Sequence, residues 1–483
     1  MSRAAGTQPI AEEPREAAPG EGFVRLLGTF DATMIVAGSM IGSGIFIVSA
    51  DIARYGGGAG WLLAVWLVTG VLTVTAALAY AELAAMFPHA GGQYVFLREA
   101  FGPLAGFLYG WTLFFVIQTG TIAAVAVAFA KFLGVVVPAV SSSAVLLHLG
   151  AHAMTTQQAV ALAVVIVLTA ANCRGVATGK AIQNAFTVTK VGALGALILI
   201  GLTFGASASV LRTNLSTLWG SRPLDGAFLA GLGAAMVGSL FSADAWNNVT
   251  FTAAEVRDAN RAVPRALLAG TVLVMVLYTL TNVAYVAVLP VTGAPTGTTL
   301  LDRGIAHATD DRVATAVMQA IFGAPGAGLM AVLIMISTFG CVNGMVLAGP
   351  RLYYAMARDG LFFRGLTRLN ARGVPARGLV VQGAWTCVLA LSGRYGQLLD
   401  YVIATALLFY ALTVIGLMRL RRTHPAAAGQ YRMPGYPWLP AAYVVAAMVI
   451  IADLLVVKPE YTWPGFLIVA AGLPAYAFWR WRS

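Results

Sequence analysis

From residue 30 onward the chain is a run of long apolar stretches separated by short polar ones. The stretches cover 30–54, 61–87, 103–130, 158–172, 184–206, 226–254, 265–290, 325–357, 378–393, 397–419, 438–457 and 462–481. A helix rising about 1.5 Å per residue needs ~20 apolar residues to cross the hydrocarbon core. The pattern therefore predicts an all-α polytopic membrane protein with twelve spans, of which the fourth and ninth are the shortest. The first ~25 residues are polar, charged and rich in Pro, Ala and Gly, without the apolar run of a signal peptide, and are expected to form a disordered tail.

Span lengths repeat in order. Spans three and eight are long, four and nine short, and one and six both carry glycine or polar interruptions at mid-membrane. Residues 26–207 and 226–420 thus read as two units of five spans, the second inverted because five is odd, with 421–483 as a two-helix appendage. Inverted repeats with broken helices in matching positions point to a secondary transporter.

Composition agrees: 59% of residues are hydrophobic and 10% charged, against about 45–50% and 25% for a soluble domain. The formal charge of +11 lies in short loops and so argues for membrane orientation, not nucleic-acid binding. One side of the predicted topology carries 21 Lys and Arg and the other 8, with Lys190 inside a span. By the positive-inside rule both termini are expected in the cytoplasm; the membrane is expected to be the plasma (inner) membrane. Cys173, Cys341 and Cys387 are far apart, so neither a disulfide frame nor a metal knuckle is expected, and no cofactor.

Span one contains Gly38-Ser39-Met40-Ile41-Gly42-Ser43-Gly44-Ile45-Phe46. Glycine and serine in this density weaken a helix where an unpaired backbone group costs several kcal/mol, so a break must line a cavity. Freed carbonyls there accept from an ammonium, and N–H groups at a half-helix start bind a carboxylate; an α-amino acid presents both. A small-residue packing face is the other account of this segment. Span six contains Gly238-Ser239-Leu240-Phe241-Ser242-Ala243-Asp244-Ala245-Trp246-Asn247-Asn248. A carboxylate in mid-membrane is expensive and marks a functional candidate, here a partner for a cationic group. It would equally serve as a cap on the second half-helix. Phe241 either closes over substrate or packs.

These stretches resemble the L-type amino acid transporters of the amino acid–polyamine–organocation superfamily. The first-helix motif Gly38 to Phe46 agrees, as do Ala81-Glu-Leu, Phe87-Pro-His-Ala-Gly-Gly-Gln-Tyr94, Ala243-Asp-Ala-Trp-Asn247 with Glu255, and Val263-Pro-Arg265. Further matches are Phe339-Gly-Cys-Val-Asn-Gly344, Met356-Ala-Arg-Asp-Gly360 and Pro434-Gly-Tyr-Pro-Trp-Leu-Pro440. The resemblance implies a 5+5 inverted-repeat, LeuT-like core and alternating access around a site between helices one and six. It places the substrate amino group on carbonyls near Met40, Ile41 and Phe241, and the carboxylate at Gly42, Ser43 and Gly44. With Ser242 and Asp244 these residues make up the expected substrate site.

Lys190 lies about seven residues into span five, ~10 Å from its end. It either snorkels to the interface or, as the resemblance implies, stands where sodium-coupled relatives of the fold hold a sodium ion, near Ser337 or Thr338. Sodium-independent transport follows from the latter; the resemblance implies exchange of one amino acid for another, and the Gly-, Ser- and Ala-rich surroundings of the breaks favour neutral L-amino acids. Proton-coupled symport, through Asp244, Glu82 or Lys190, and carriage of cationic amino acids or polyamines stay open, while Glu82 also reads as a partner of Arg98 or another loop base. An enzyme is not expected: Gly175 to Lys180 lacks P-loop spacing, and all five histidines fall in loops or at span ends. Residues 131–158 contain no cysteine, so no disulfide-linked heavy chain is expected. Only four of the 30 basic residues are lysine, a bias that suggests a bacterial member.

Overall fold

The computed structural model describes residues 23–149, 152–392, 395–425 and 430–482; the expected tail, 1–25, lies almost wholly outside them. In chain order the helices are α1 (Thr29–Met40), α2 (Ser49–Gly56), α3 (Ala59–Met86), α4 (Gln93–Phe101), α5 (Pro103–Thr112) and α6 (Gln118–Val136). A two-stranded hairpin follows, β1 (Val145–Leu149) against β2 (His152–Thr155), with His148 opposite Ala153. Then come α7 (Thr156–Cys173), α8 (Val176–Ile200), α9 (Ala208–Ser216), α10 (Gly226–Ser242), α11 (Asn248–Phe251), α12 (Ala259–Val288) and α13 (Leu300–Arg303). The last are α14 (Val313–Arg358), α15 (Ala376–Ser392), α16 (Tyr395–Thr423), α17 (Trp438–Val457) and α18 (Pro459–Arg482).

Among the described residues eight helices are long and apolar enough to cross a membrane, the longest running Val313–Arg358, and the chain is a multi-pass membrane protein. α10 and α15 are apolar but shorter. Some boundaries differ from those expected. α14 starts at Val313, but a non-helical Gly323 (φ 67°) divides it into two helical parts, and the second begins where the span expected from 325 does. α5 and α6 are joined by one π turn, Leu113–Ile117, where the Thr119 hydroxyl donates to the Phe114 carbonyl five residues back, at 2.6 Å. α4, α9 and the hairpin lie in stretches between the expected spans.

α1 packs on α12, α8 and α14, and α14 on α6. Charge pins α1 at its start: Asp31 takes Lys180 Nζ and Asn184 Nδ2, each at 2.7 Å. Just before it, Leu27 forms an isolated parallel bridge with Val256. Its N–H donates to the Glu255 carbonyl and its carbonyl accepts from the Arg257 N–H, both at 2.9 Å.

Glu82 is fully buried at the end of α3. Its partner is Arg421 of α16, whose Nε donates at 2.6 Å, and the Met433 N–H adds a bond at 2.7 Å. Arg98 instead pairs with Glu99 and Asp359. Removing one partner of a buried pair strands a charge, at a cost of about 3–5 kcal/mol, whereas replacing both by apolar groups is often neutral. Arg421→Met should therefore lower the melting temperature in detergent markedly, and Glu82→Met with Arg421→Met should recover most of the loss. A double variant no more stable than the single would show that the pair acts through packing.

Candidate functional site

A helix ends with four carbonyls that have no intrahelical partner. In α1 these belong to Gly38, Ser39, Met40 and Ile41, because the segment Ile41–Ser43 leaves the helix before a short turn at Gly44–Phe46 and α2. Side chains from three other helices satisfy all four. Lys190 of α8 donates to Gly38 at 2.5 Å and Ile41 at 2.8 Å. Cys341 of α14 reaches Ser39 at 2.9 Å, and Tyr278 of α12 reaches Met40 at 2.9 Å. Ser337 adds its hydroxyl to Ile41 at 3.1 Å, and its carbonyl accepts from Lys190 at 3.3 Å. The break is thus stabilised from outside, as the absence of water in a bilayer requires.

Lys190 is 1% exposed, and its ammonium sits at the negative end of the α1 dipole. It does not snorkel. Thr338, the other neighbour expected for it, bonds within its own helix.

The second break follows Ser242. α10 stops there, and the chain passes through Ala243 to Asn247 before α11. Ala245 has φ +64°, a left-handed conformation that costs a residue with a Cβ about 1–2 kcal/mol and is found where function or packing demands it. The Asp244 carboxylate receives the Tyr410 hydroxyl of α16 and the Ala245 N–H, so it caps its own turn and not α11. Asn247 Nδ2 donates to Gln93 Oε1 at 2.9 Å, and Gln93 Nε2 to Thr413 at 3.0 Å, tying this break to α4 and α16.

The two breaks touch. A Cβ on Gly44 would lie 1.9 Å from Ser242 Oγ, so only glycine permits the approach. The Tyr278 hydroxyl spans them, reaching the Ser242 carbonyl at 3.1 Å as well as Met40. Between them lies a cavity lined by Met40, Gly42, Ser43, Gly44, Phe241, Ser242 and Asp244, together with Ser39, Thr121 and Cys341. Its void is about 10 Å³, room for about one water; an amino acid needs the walls to part.

Seven of the nine expected site residues therefore border one cavity. Ile41 turns its carbonyl away toward Lys190 and Ser337, and Lys190 stands behind the break. The expectation missed Tyr278, Cys341 and Tyr410. Each has other polar residues close by in its own span, and no sequence signal singled it out. Among the described residues no group of His, Cys, Asp and Glu could hold a metal ion.

Known proteins resemble this chain along nearly all its length. The b(0,+)-type amino acid transporter 1 of Mus musculus is 28% identical over 455 residues, 93% of this chain and 87% of the relative. The Asc-type amino acid transporter 1 of Homo sapiens is 28% identical over 464 residues, 94% of this chain and 82% of the relative. The serine/threonine exchanger SteT of Bacillus subtilis (strain 168) is 26% identical over 458 residues, covering 94% and 97%. The family model for amino acid permeases matches residues 27–473. With helices fit to cross a bilayer, two breaks meeting at a buried cavity, and a family match over most of its length, the chain belongs to the amino acid permease family, whose members are transporters and not enzymes.

Proposed function

We propose that the protein exchanges neutral L-amino acids across the plasma membrane by alternating access, without sodium. The observation that carries this is the pair of facing helix breaks. Met40 and Ser242 present carbonyls beside Tyr278, while the glycine turn after Met40 faces the same cavity. A zwitterion matches that polarity. Lys190, bonded to Gly38, Ile41 and Ser337, supplies a fixed positive charge of the kind a bound sodium ion would otherwise give. The relatives agree, one being named an exchanger and two amino acid transporters.

In this reading twelve spans form a LeuT-like core of two inverted repeats, 26–207 and 226–420, with 421–483 appended. Both termini are cytoplasmic, and no disulfide-linked heavy chain is needed. Asp244 favours a second reading. As the cavity's one carboxylate it would suit a cationic amino acid or polyamine, or carry a proton in symport.

Uptake of labelled amino acid into proteoliposomes separates these readings. Exchange predicts uptake that requires unlabelled amino acid inside and is unchanged when sodium is replaced by choline. Uptake into empty vesicles driven by an imposed pH gradient would overturn exchange in favour of symport. Preference for arginine over neutral substrates would move the assignment to cationic ones.

A further inference from the structure

Beyond Asp244 lies a second cavity, sharing Thr121, Asp244 and Ala245 with the first and bounded otherwise by α5, α6, α11, α14 and α16. We infer that it receives the substrate side chain and selects a short hydrogen-bonding one, a hydroxyl or a carboxamide, over an aliphatic one of the same size. The inference rests on the exchange reading above and names the substrate class for that site.

Two of its walls carry unsatisfied polar atoms. The Tyr109 hydroxyl and Asn248 Nδ2 are buried without a hydrogen-bond partner, and each residue is 1% exposed. The Asn247 amide approaches the Tyr109 hydroxyl but does not reach bonding geometry. A buried polar group left unpaired costs about 1–3 kcal/mol, and native proteins hold few of them. Two in one cavity that opens onto a substrate site are placed to be completed by the substrate.

The chemistry of the walls defines the side chain. Asn248 Nδ2 only donates and needs an acceptor, the Tyr109 hydroxyl does either, and the Asp244 carboxylate, already bonded by Tyr410 and Ala245, can only accept. A hydroxyl or carboxamide offers both functions; a methyl offers neither and leaves the walls unpaired. Leu113, Ile117 and Met345 close the remaining sides, so a chain that reaches past the polar walls meets only apolar groups. Sites built to bond a polar group reject the analogue lacking it far more strongly than apolar pockets distinguish one methyl from another.

Isosteric pairs test this in reconstituted full-length protein: threonine against valine, and serine against 2-aminobutyrate, each as exchange kcat/KM. The hydroxylated member should be favoured by at least ~10-fold, the equivalent of one buried polar group completed. Tyr109→Phe and Asn248→Ala should each shrink that ratio through a raised KM for threonine, with little change in kcat. Valine exchanged as well as threonine by the wild type would overturn the inference and leave exchange standing. Variants that lower exchange of both members equally would assign the two residues to packing, and would overturn it as well. Should neither variant fold, the wild-type ratios decide alone. Exchange of no amino acid at all would fell the proposed function, and this inference with it.

Discussion

Replacing Gly44 by valine is expected to abolish amino acid uptake. A Cβ at this position would meet Ser242 Oγ at 1.9 Å, its Cβ at 2.7 Å and its Cα at 3.0 Å. The first contact is not relieved by rotating the serine, whose hydroxyl is held by the Gly238 carbonyl at 2.7 Å. The third involves backbone, and moving it would shift the segment carrying Asp244. Overpacking of this kind costs about 1–3 kcal/mol even where neighbours yield, and here they form the cavity walls. Gly44→Ala should lose most of its uptake for the same reason. Pairing it with Ser242→Gly removes the two nearest atoms and should return part of the activity. Uptake at matched protein level, with a melting curve for each variant, makes the comparison; wild-type flux in Gly44→Val would remove the cavity from consideration as the substrate site.

Lys190→Met should lower exchange by about 100-fold while the protein still folds. The substitution keeps most of the stem volume and removes only the ammonium, leaving the Gly38 carbonyl buried without its donor and the Ile41 carbonyl with Ser337 alone. Loss of one charge-assisted hydrogen bond is worth about 1.5–3 kcal/mol, and ~2.7 kcal/mol in a barrier corresponds to roughly 100-fold in rate. The effect should fall on kcat, because the ammonium holds the shape of the α1 terminus and lies behind the cavity. Exchange at the wild-type rate would reduce Lys190 to a residue that fills space.

Much of this architecture is legible in the chain because hydropathy is a local property. Each apolar window can be recognised without knowing what it packs against, and the density of glycine and serine from Gly38 to Gly44 locates the first break to within a few residues. Partners are another matter. The side chains that satisfy that break stand on α8, α12 and α14, about 150 to 300 positions away, and no periodicity links them to it. Lys190 was conspicuous as a charge in a span; Tyr278 was one tyrosine among 16. Glu82 shows the same limit. That it needs a base follows from its depth, but the choice of Arg421 over Arg98 depends on how α16 ends beside α3. Local breakers, by contrast, can be read directly: Gly323 leaves helical geometry just before the expected start of the eighth span, and a further helical part, Val313 to Phe322, precedes it.

The bridge between Leu27 and Val256 works as a mechanical link. It fastens the chain just ahead of α1 to the chain just beyond α11 through two main-chain hydrogen bonds. Each strand of this link then leads to a joint where its helix is interrupted, at Ile41–Ser43 and at Ala243–Asn247. Two arms tied at their tips and jointed at mid-length constrain one another. The tie gives the two arms a connection that does not pass through the cavity, so the segments that wall it are held at their far ends as one piece.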